Sequence, residues 1–211
     1  MFIKICGITN QPDALLAIAL GADALGFVFA PSPRQVSVAR VSQLLPQLPP
    51  EVLTFGVFRD ELPQRIVAIL AETGLRGAQI HGWLSDEGLE VVRAHTPWVI
   101  RAANAYMPGF DRVIHQPAWA LLVDGEHSGS GRVFDWSLLD GISPARRLIV
   151  AGGLTPNNVA RAIEQVRPFG VDVASGVEAR PGRKDPVRLR AFIEAARRAA
   201  NVVGDANEED P

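Results

Sequence analysis

The chain has 211 residues, 47% of them hydrophobic and 21% charged, with a formal net charge of −2. That profile excludes wholesale disorder and a fibrous repeat, and it lacks the basic excess of a generic nucleic-acid or membrane-surface binder. A single cysteine, Cys6, excludes an internal disulfide framework and a thiolate zinc cluster, and the histidines at 81, 95, 115 and 127 include no i,i+4 pair to share a metal.

Met1 to Gly7 lacks the basic, apolar and small-residue zones of a signal peptide and reads as a strand beginning at once. With no apolar run near the ~18 to 20 residues of a membrane span, a cytoplasmic protein is expected. Short apolar runs rich in β-branched or aromatic residues begin near Phe2, Ala24, Val52, Arg76, Trp98, Trp119, Leu148 and Val171, and helix-like stretches fill most gaps. The first helix is capped by Asn10 or Thr9, with Pro12 and Asp13 in its first turn and Gly21 past its end. A later one starts at Thr155-Pro156, its Val159, Ala162, Ile163 and Val166 recurring at the helical period. The last runs from Asp185 to about Val203, with Phe192, Ile193 and Ala196 on one side.

Eight strands alternating with helices predict parallel sheet, because parallel neighbours need a crossover connection. The economical reading is an α/β protein with a single (βα)8 TIM barrel over residues 1–203, followed by an acidic, frayed tail over 204–211. An open doubly wound sheet is the competitor, but no Gly-x-Gly-x-x-Gly follows the first strand.

In such a barrel the chemistry lies at the C-terminal ends of the strands, and the period of two sorts side chains between interior and exterior. Ile3 and Ile5 suit the helix-facing side, so Lys4 and Cys6 point inward; likewise Leu121 and Val123 face out while Leu122 and Asp124 face in. Gln79 and His81 share a face, and Asp172 and Ala174 point inward between Val171 and Val173. A thiol and a carboxylate thus reach one rim from distant parts of the chain, suited to two proton transfers on opposite sides of one substrate. Lys4, two residues before Cys6, favours the thiolate. Plainer readings stand beside these: a lone buried cysteine can be inert packing, and an aspartate before Gly125 can be a turn former.

Ala151-Gly152-Gly153-Leu154 and Ala174-Ser175-Gly176-Val177-Glu178 follow the seventh and eighth strands. These are the loops that hold phosphate in this fold, because glycine lets the backbone approach an anion. Ser128-Gly129-Ser130-Gly131 reads as a flexible lid or floor; Arg34, in Pro31-Ser32-Pro33-Arg34, can be aimed by its proline-braced loop at a carboxylate. Arg183 and Lys184 read as flanking the last helix rather than touching substrate.

Lys4-Ile5-Cys6-Gly7-Ile8-Thr9, Gly26-Phe27-Val28-Phe29, Ser32-Pro33-Arg34-Gln35-Val36-Ser37, Gly56-Val57-Phe58, Gln79-Ile80-His81-Gly82, Phe134-Asp135-Trp136, Ala151-Gly152-Gly153-Leu154 and Gly170 to Glu178 run in one order over nearly the whole chain. Together they resemble the phosphoribosylanthranilate isomerases of tryptophan biosynthesis. The resemblance implies a (βα)8 barrel that converts N-(5-phosphoribosyl)anthranilate to 1-(2-carboxyphenylamino)-1-deoxyribulose 5-phosphate, an Amadori rearrangement without metal or organic cofactor. It implies Cys6 as general base, Asp124 as general acid, Arg34 on the anthranilate carboxylate, and Gly152, Gly153, Ser175 and Gly176 on the phosphate. In this setting His81 and Asp172 position substrate or tune those groups, or are internal polar packing. Desolvation beneath the substrate is expected to raise the pKa of Asp124 toward the working range.

The implied partner is a small phosphosugar, with no nucleic acid and no membrane, and the chain acts as a monomer or homodimer. Three departures from the family pattern stand out: Ser128 in place of a usual glycine, Trp83-Leu84-Ser85 before the acidic pair Asp86-Glu87, and Ala174 in place of a frequent serine. Two other readings are a barrel that binds phosphate ligands or scaffolds a neighbour without catalysis, and the analogous aminoaldose–ketose isomerase of histidine biosynthesis, whose family carries aspartate where Cys6 stands. A metal-dependent phosphosugar epimerase has too few converging ligands in His81, Asp124 and Asp172.

Overall fold

The computed structural model describes residues 1–125, 135–143 and 145–208, with 204–208 described by backbone alone. Eight strands, β1 (Phe2–Cys6), β2 (Ala24–Val28), β3 (Leu53–Phe58), β4 (Gly77–Ile80), β5 (Trp98–Asn104), β6 (Ala120–Asp124), β7 (Leu148–Val150) and β8 (Gly170–Val173), close into one barrel in sequence order. Every neighbouring pair is parallel, including β1 with β8. The open-sheet alternative is thereby excluded.

Alternation along the strands builds two apolar layers. Ile3, Ile5, Leu121, Val123, Val171 and Val173 point outward and pack against the helices. Phe2, Ala24, Phe55, Ile100, Leu122 and Ile149 fill the interior. At the strand starts, Trp119 packs edge-on against Phe2, Trp98 and Phe169, so aromatic rings stopper the barrel end opposite the site.

The helices are α1 (Gln11–Ala19), α2 (Val38–Leu44), α3 (Pro63–Thr73), α4 (Asp86–His95), α5 (Phe110–His115), α6 (Val159–Val166) and α7 (Pro186–Glu208). A short antiparallel pair, β9 (Glu178–Arg180) and β10 (Arg183–Lys184), lies between β8 and α7. Asn10 is the cap of α1, its side chain accepting from Asp13 N at 3.0 Å, while Thr9 instead donates to Gly182 O at 2.6 Å. α6 begins at Val159, later than Thr155-Pro156 suggests: the Asn158 side chain accepts from Thr155 N and donates to Gly153 O, which holds the intervening residues in a turn. α7 continues past Val203 to Glu208. Ser128 and the Gly129-Ser130-Gly131 turn lie outside the described residues.

Candidate active site

β1 and β8 pair with Lys4 opposite Asp172, and the period of two turns both side chains inward. Lys4 Nζ donates to Asp172 Oδ1 at 2.7 Å, with the lysine side chain fully buried. Cys6, one pleat nearer the mouth, stands opposite Gly26 of β2. A Cβ at Gly26 would lie 2.8 Å from Cys6 Sγ and 3.1 Å from Lys4 Nζ, so this glycine leaves the space in which thiol and ammonium meet. Burial is the largest influence on the thiol and raises its pKa; Lys4 and Lys184 pull it down and Asp172 raises it. Lys4 favours the thiolate as expected, but burial outweighs it and the net shift is upward, so the resting group is a thiol. Burial likewise lowers the Lys4 pKa, but Asp172 and Cys6 together outweigh it and keep the ammonium charged.

Arg34 lies at the mouth beside β2. Its Nε donates to Glu178 Oε1 and Oε2 at 2.9 and 3.1 Å, and its Nη2 donates to Oε2 at 2.8 Å. Glu178 also accepts from Lys184 Nζ at 3.1 Å. Burial alone would raise the glutamate pKa; the two cations outweigh it and hold the group below the usual carboxylate range. Lys184 does not merely flank α7. Its buried ammonium also donates to Cys6 O at 2.7 Å and Ala174 O at 3.1 Å, tying the ends of β1 and β8 together. Arg183, by contrast, is exposed.

Gln79 of β4 and His81 just past its end are in contact, Nε2 to Nε2, at 2.8 Å. Burial, then the charges of Lys4, Arg59 and Arg101, push the His81 pKa down to about 3, so the imidazole is neutral. Gln79 Oε1 is buried and meets no donor among the described residues; exchanging the amide's oxygen and nitrogen would make His81 the donor, so the contact fixes the pair but not the tautomer. The strand ends nearby are held by Arg101, fully buried on the outer side of β5. Its guanidinium donates to Gln116 Oε1, Ile80 O and Gly82 O, and burial lowers its pKa to about 10. This clamp absorbs the Trp83-Leu84-Ser85 departure: Leu84 is buried with its carbonyl accepting from Gln116, Ser85 caps α4, and Trp83 lies exposed under the Arg112 guanidinium.

The turns after β7 and β8 pack on each other. Gly152 and Gly153 both adopt positive φ, +76° and +68°. A Cβ at Gly152 would meet Gly125 N at 2.6 Å, and one at Gly176 would overlap Leu154 O at 1.9 Å. One cleft opens over the barrel end, and Cys6, Arg34, His81, Asp124, Gly152, Gly153, Asp172 and Ser175 all line it. Gly176, half-buried, follows the lining residue Ser175 and packs on Leu154 O. Cys6 and Asp124 come from β1 and β6, separated around the barrel by β7 and β8, so they approach the cleft from different sides.

Sequence reasoning did not assign roles to Glu178, Lys184 or Gly7. Glu178 closes the Ser-Gly-Val-Glu motif, and that motif is the only signal that singled it out; nothing local marks Lys184. Among the described residues no group of three His, Cys, Asp or Glu side chains is arranged to hold a metal ion, and no helix is long and apolar enough to cross a membrane.

The family described as N-(5′-phosphoribosyl)anthranilate (PRA) isomerase matches residues 3–195. The N-(5′-phosphoribosyl)anthranilate isomerase of Desulforudis audaxviator is 45% identical over 201 residues, covering 93% of this chain and 98% of that protein. The crystal structure of phosphoribosyl anthranilate isomerase from Thermus thermophilus superposes with a TM-score of 0.87 at 38% identity, covering 94% of this chain and 99% of that one. A phosphoribosyl anthranilate isomerase in complex with reduced 1-(o-carboxyphenylamino)-1-deoxyribulose 5-phosphate superposes with a TM-score of 0.82 at 38% identity, over 93% and 98% of the two chains. The likeness runs from β1 into α7 and spans every residue placed around the cleft: this chain belongs to the N-(5′-phosphoribosyl)anthranilate isomerase family.

Proposed function

We propose that the barrel, residues 1–203, is a cytoplasmic phosphoribosylanthranilate isomerase of tryptophan biosynthesis. One observation carries the reading: a thiol and a carboxyl group from non-adjacent strands share a cleft with an arginine on one side and two glycine turns on another. The glycine turns with Ser175 and Gly176 hold the phosphate, and Arg34 holds the anthranilate carboxylate. All of these residues belong to one chain, so the reading holds for a monomer or a homodimer; sedimentation distinguishes the two.

Asp124, acting from its protonated form, gives its proton to the furanose ring oxygen as the C1′–O bond breaks. The anthranilate nitrogen lone pair forms the C1′=N bond of a protonated Schiff base. The cation acidifies C2′–H, and the Cys6 thiolate takes that proton while the C=N electrons return to nitrogen, leaving the enolamine. Protonation at C1′ and loss of the O2′ proton give the ketone, and the atoms balance as an isomerisation. Because burial raises the thiol, the flanking ammonium groups of Lys4 and Lys184 are what stabilise the thiolate when it forms. Neutral His81 borders the cleft as a hydrogen-bonding group, and Asp172 orients Lys4 and faces the substrate.

A fluorescence assay of phosphoribosylanthranilate consumption tests this. The wild-type chain turns the substrate over and Cys6→Ser does not; binding without turnover in the wild type would leave only the non-catalytic barrel. Preference for the histidine-pathway aminoaldose would point to the analogous isomerase.

A further inference from the structure

The Arg34–Glu178–Lys184 cluster has a geometry that fastening a loop does not require. Glu178 is buried, and its two oxygens take the Nε–Nη2 edge of the guanidinium. A second carboxylate can then make a two-point contact only with the terminal Nη1–Nη2 edge. The arginine stem packs closely against Gly7, which has φ +75°: a Cβ there would come within 2.6 Å of Arg34 Cδ. Lys184, also buried, links Glu178 to the carbonyl of Cys6, so the fork is indexed to the strand that carries the thiol. Two cations against one carboxylate leave a single positive charge for a ligand.

We propose that Glu178 is a specificity-determining positioning residue: it fixes the Arg34 fork so that only its terminal edge is offered to the cleft, selecting ligands whose aromatic carboxylate stands at a set distance from Cys6. The proposal rests on the reading of Arg34 as the carboxylate-binding group.

The test is titration of reduced 1-(2-carboxyphenylamino)-1-deoxyribulose 5-phosphate, and of its counterpart lacking the carboxyl group, into wild type, Glu178→Gln, Arg34→Ala and the double variant. A glutamine presents a donor where Arg34 or Lys184 needs an acceptor, so one contact of the brace is lost. The expected result is that Glu178→Gln reduces the wild-type preference for the carboxylated ligand by about tenfold, a charge-assisted two-point contact made imperfect, while the other ligand's Kd barely moves. In the Arg34→Ala background Glu178→Gln is expected to change nothing further. Should Glu178→Gln lose its circular dichroism signal, Glu178→Asp, which withdraws the carboxylate but keeps its charge, carries the same expectation. A preference unchanged or increased in these variants, or an equal loss without Arg34, overturns the proposal while leaving the Arg34 reading in place. A wild type indifferent to the carboxyl group overturns both.

Discussion

Replacing Lys4 by methionine removes the ammonium from the floor of the cleft and leaves Asp172 facing an apolar side chain. The pair is 2.7 Å apart, with side-chain exposures of 0% and 10%. Removing one partner of a buried pair costs about 3 to 5 kcal/mol, because the remaining charge is left desolvated. Asp172 borders the cleft and keeps some access to water, which places Lys4→Met at about 3 kcal/mol. The same change removes the largest influence lowering the Cys6 pKa, so the thiol titrates higher still. Urea unfolding followed by tryptophan fluorescence reads the first effect, and the pH dependence of kcat/KM reads the second. A base that must be deprotonated gives a rate that rises with pH, and the rise moves to higher pH in Lys4→Met. Lys4→Met/Asp172→Asn recovers most of the stability but not the profile, since the stranded charge is gone and the thiolate still lacks its counter-ion. A cost below about 1 kcal/mol, typical of an exposed pair, or a pH profile that does not move, refutes this account of the floor.

Cys6→Ala and Asp124→Asn each lower kcat by at least about 10² with circular dichroism unchanged, as the loss of a proton-transfer group requires; near-normal turnover in either removes its role. Arg34→Ala raises KM for phosphoribosylanthranilate, and unchanged kinetic constants would make it a bystander. His81 carries a pH dependence of stability. Its folded pKa of about 3 lies below the ordinary 6.5, so the unfolded chain takes up the proton first. Stability is full above pH ~6.5 and falls as the pH drops toward the folded value, by about 2 kcal/mol between pH 7 and pH 5. His81→Gln flattens that part of the curve, and a slope that persists in it assigns the effect elsewhere.

Much of the site was legible because it follows from alternation. Ile3 and Ile5 against Lys4 and Cys6, and Leu121 and Val123 against Asp124, place a thiol and a carboxylate on one rim without any tertiary information. The glycine turns were legible for a similar local reason: paired glycines after late strands mark a backbone that approaches something closely. The brace was not, because Arg34, Glu178 and Lys184 meet through contacts spanning 144 and 6 residues of chain, and Lys184 reaches Cys6 across 178. A lysine next to an arginine before a helix carries no local mark of burial. The net direction of the thiol's pKa is not legible for the same reason: sequence shows the nearby ammonium, which does lower it, but not the depth, which is the larger influence. Arg101 sits on the outer side of its strand, in the layer where apolar side chains pack against the helices, so its charge needs partners there. Only the fold shows that the carbonyls of Ile80 and Gly82, at the end of the preceding strand, and the Gln116 side chain supply the acceptors. The later start of α6 turns on Asn158, whose side chain competes for Thr155 N and delays the helix.

The central claim is that one thiol and one carboxyl group act on a single sugar from different sides. A crystal structure with reduced 1-(2-carboxyphenylamino)-1-deoxyribulose 5-phosphate bound reads this directly. The expected complex has Cys6 Sγ against C2′, the Asp124 carboxyl within hydrogen-bond reach of the oxygen freed from the ring, and the phosphate on the Gly152–Gly153 and Ser175–Gly176 turns. A ligand bound with either group remote from those atoms, or with its phosphate at the Arg34 side, contradicts it.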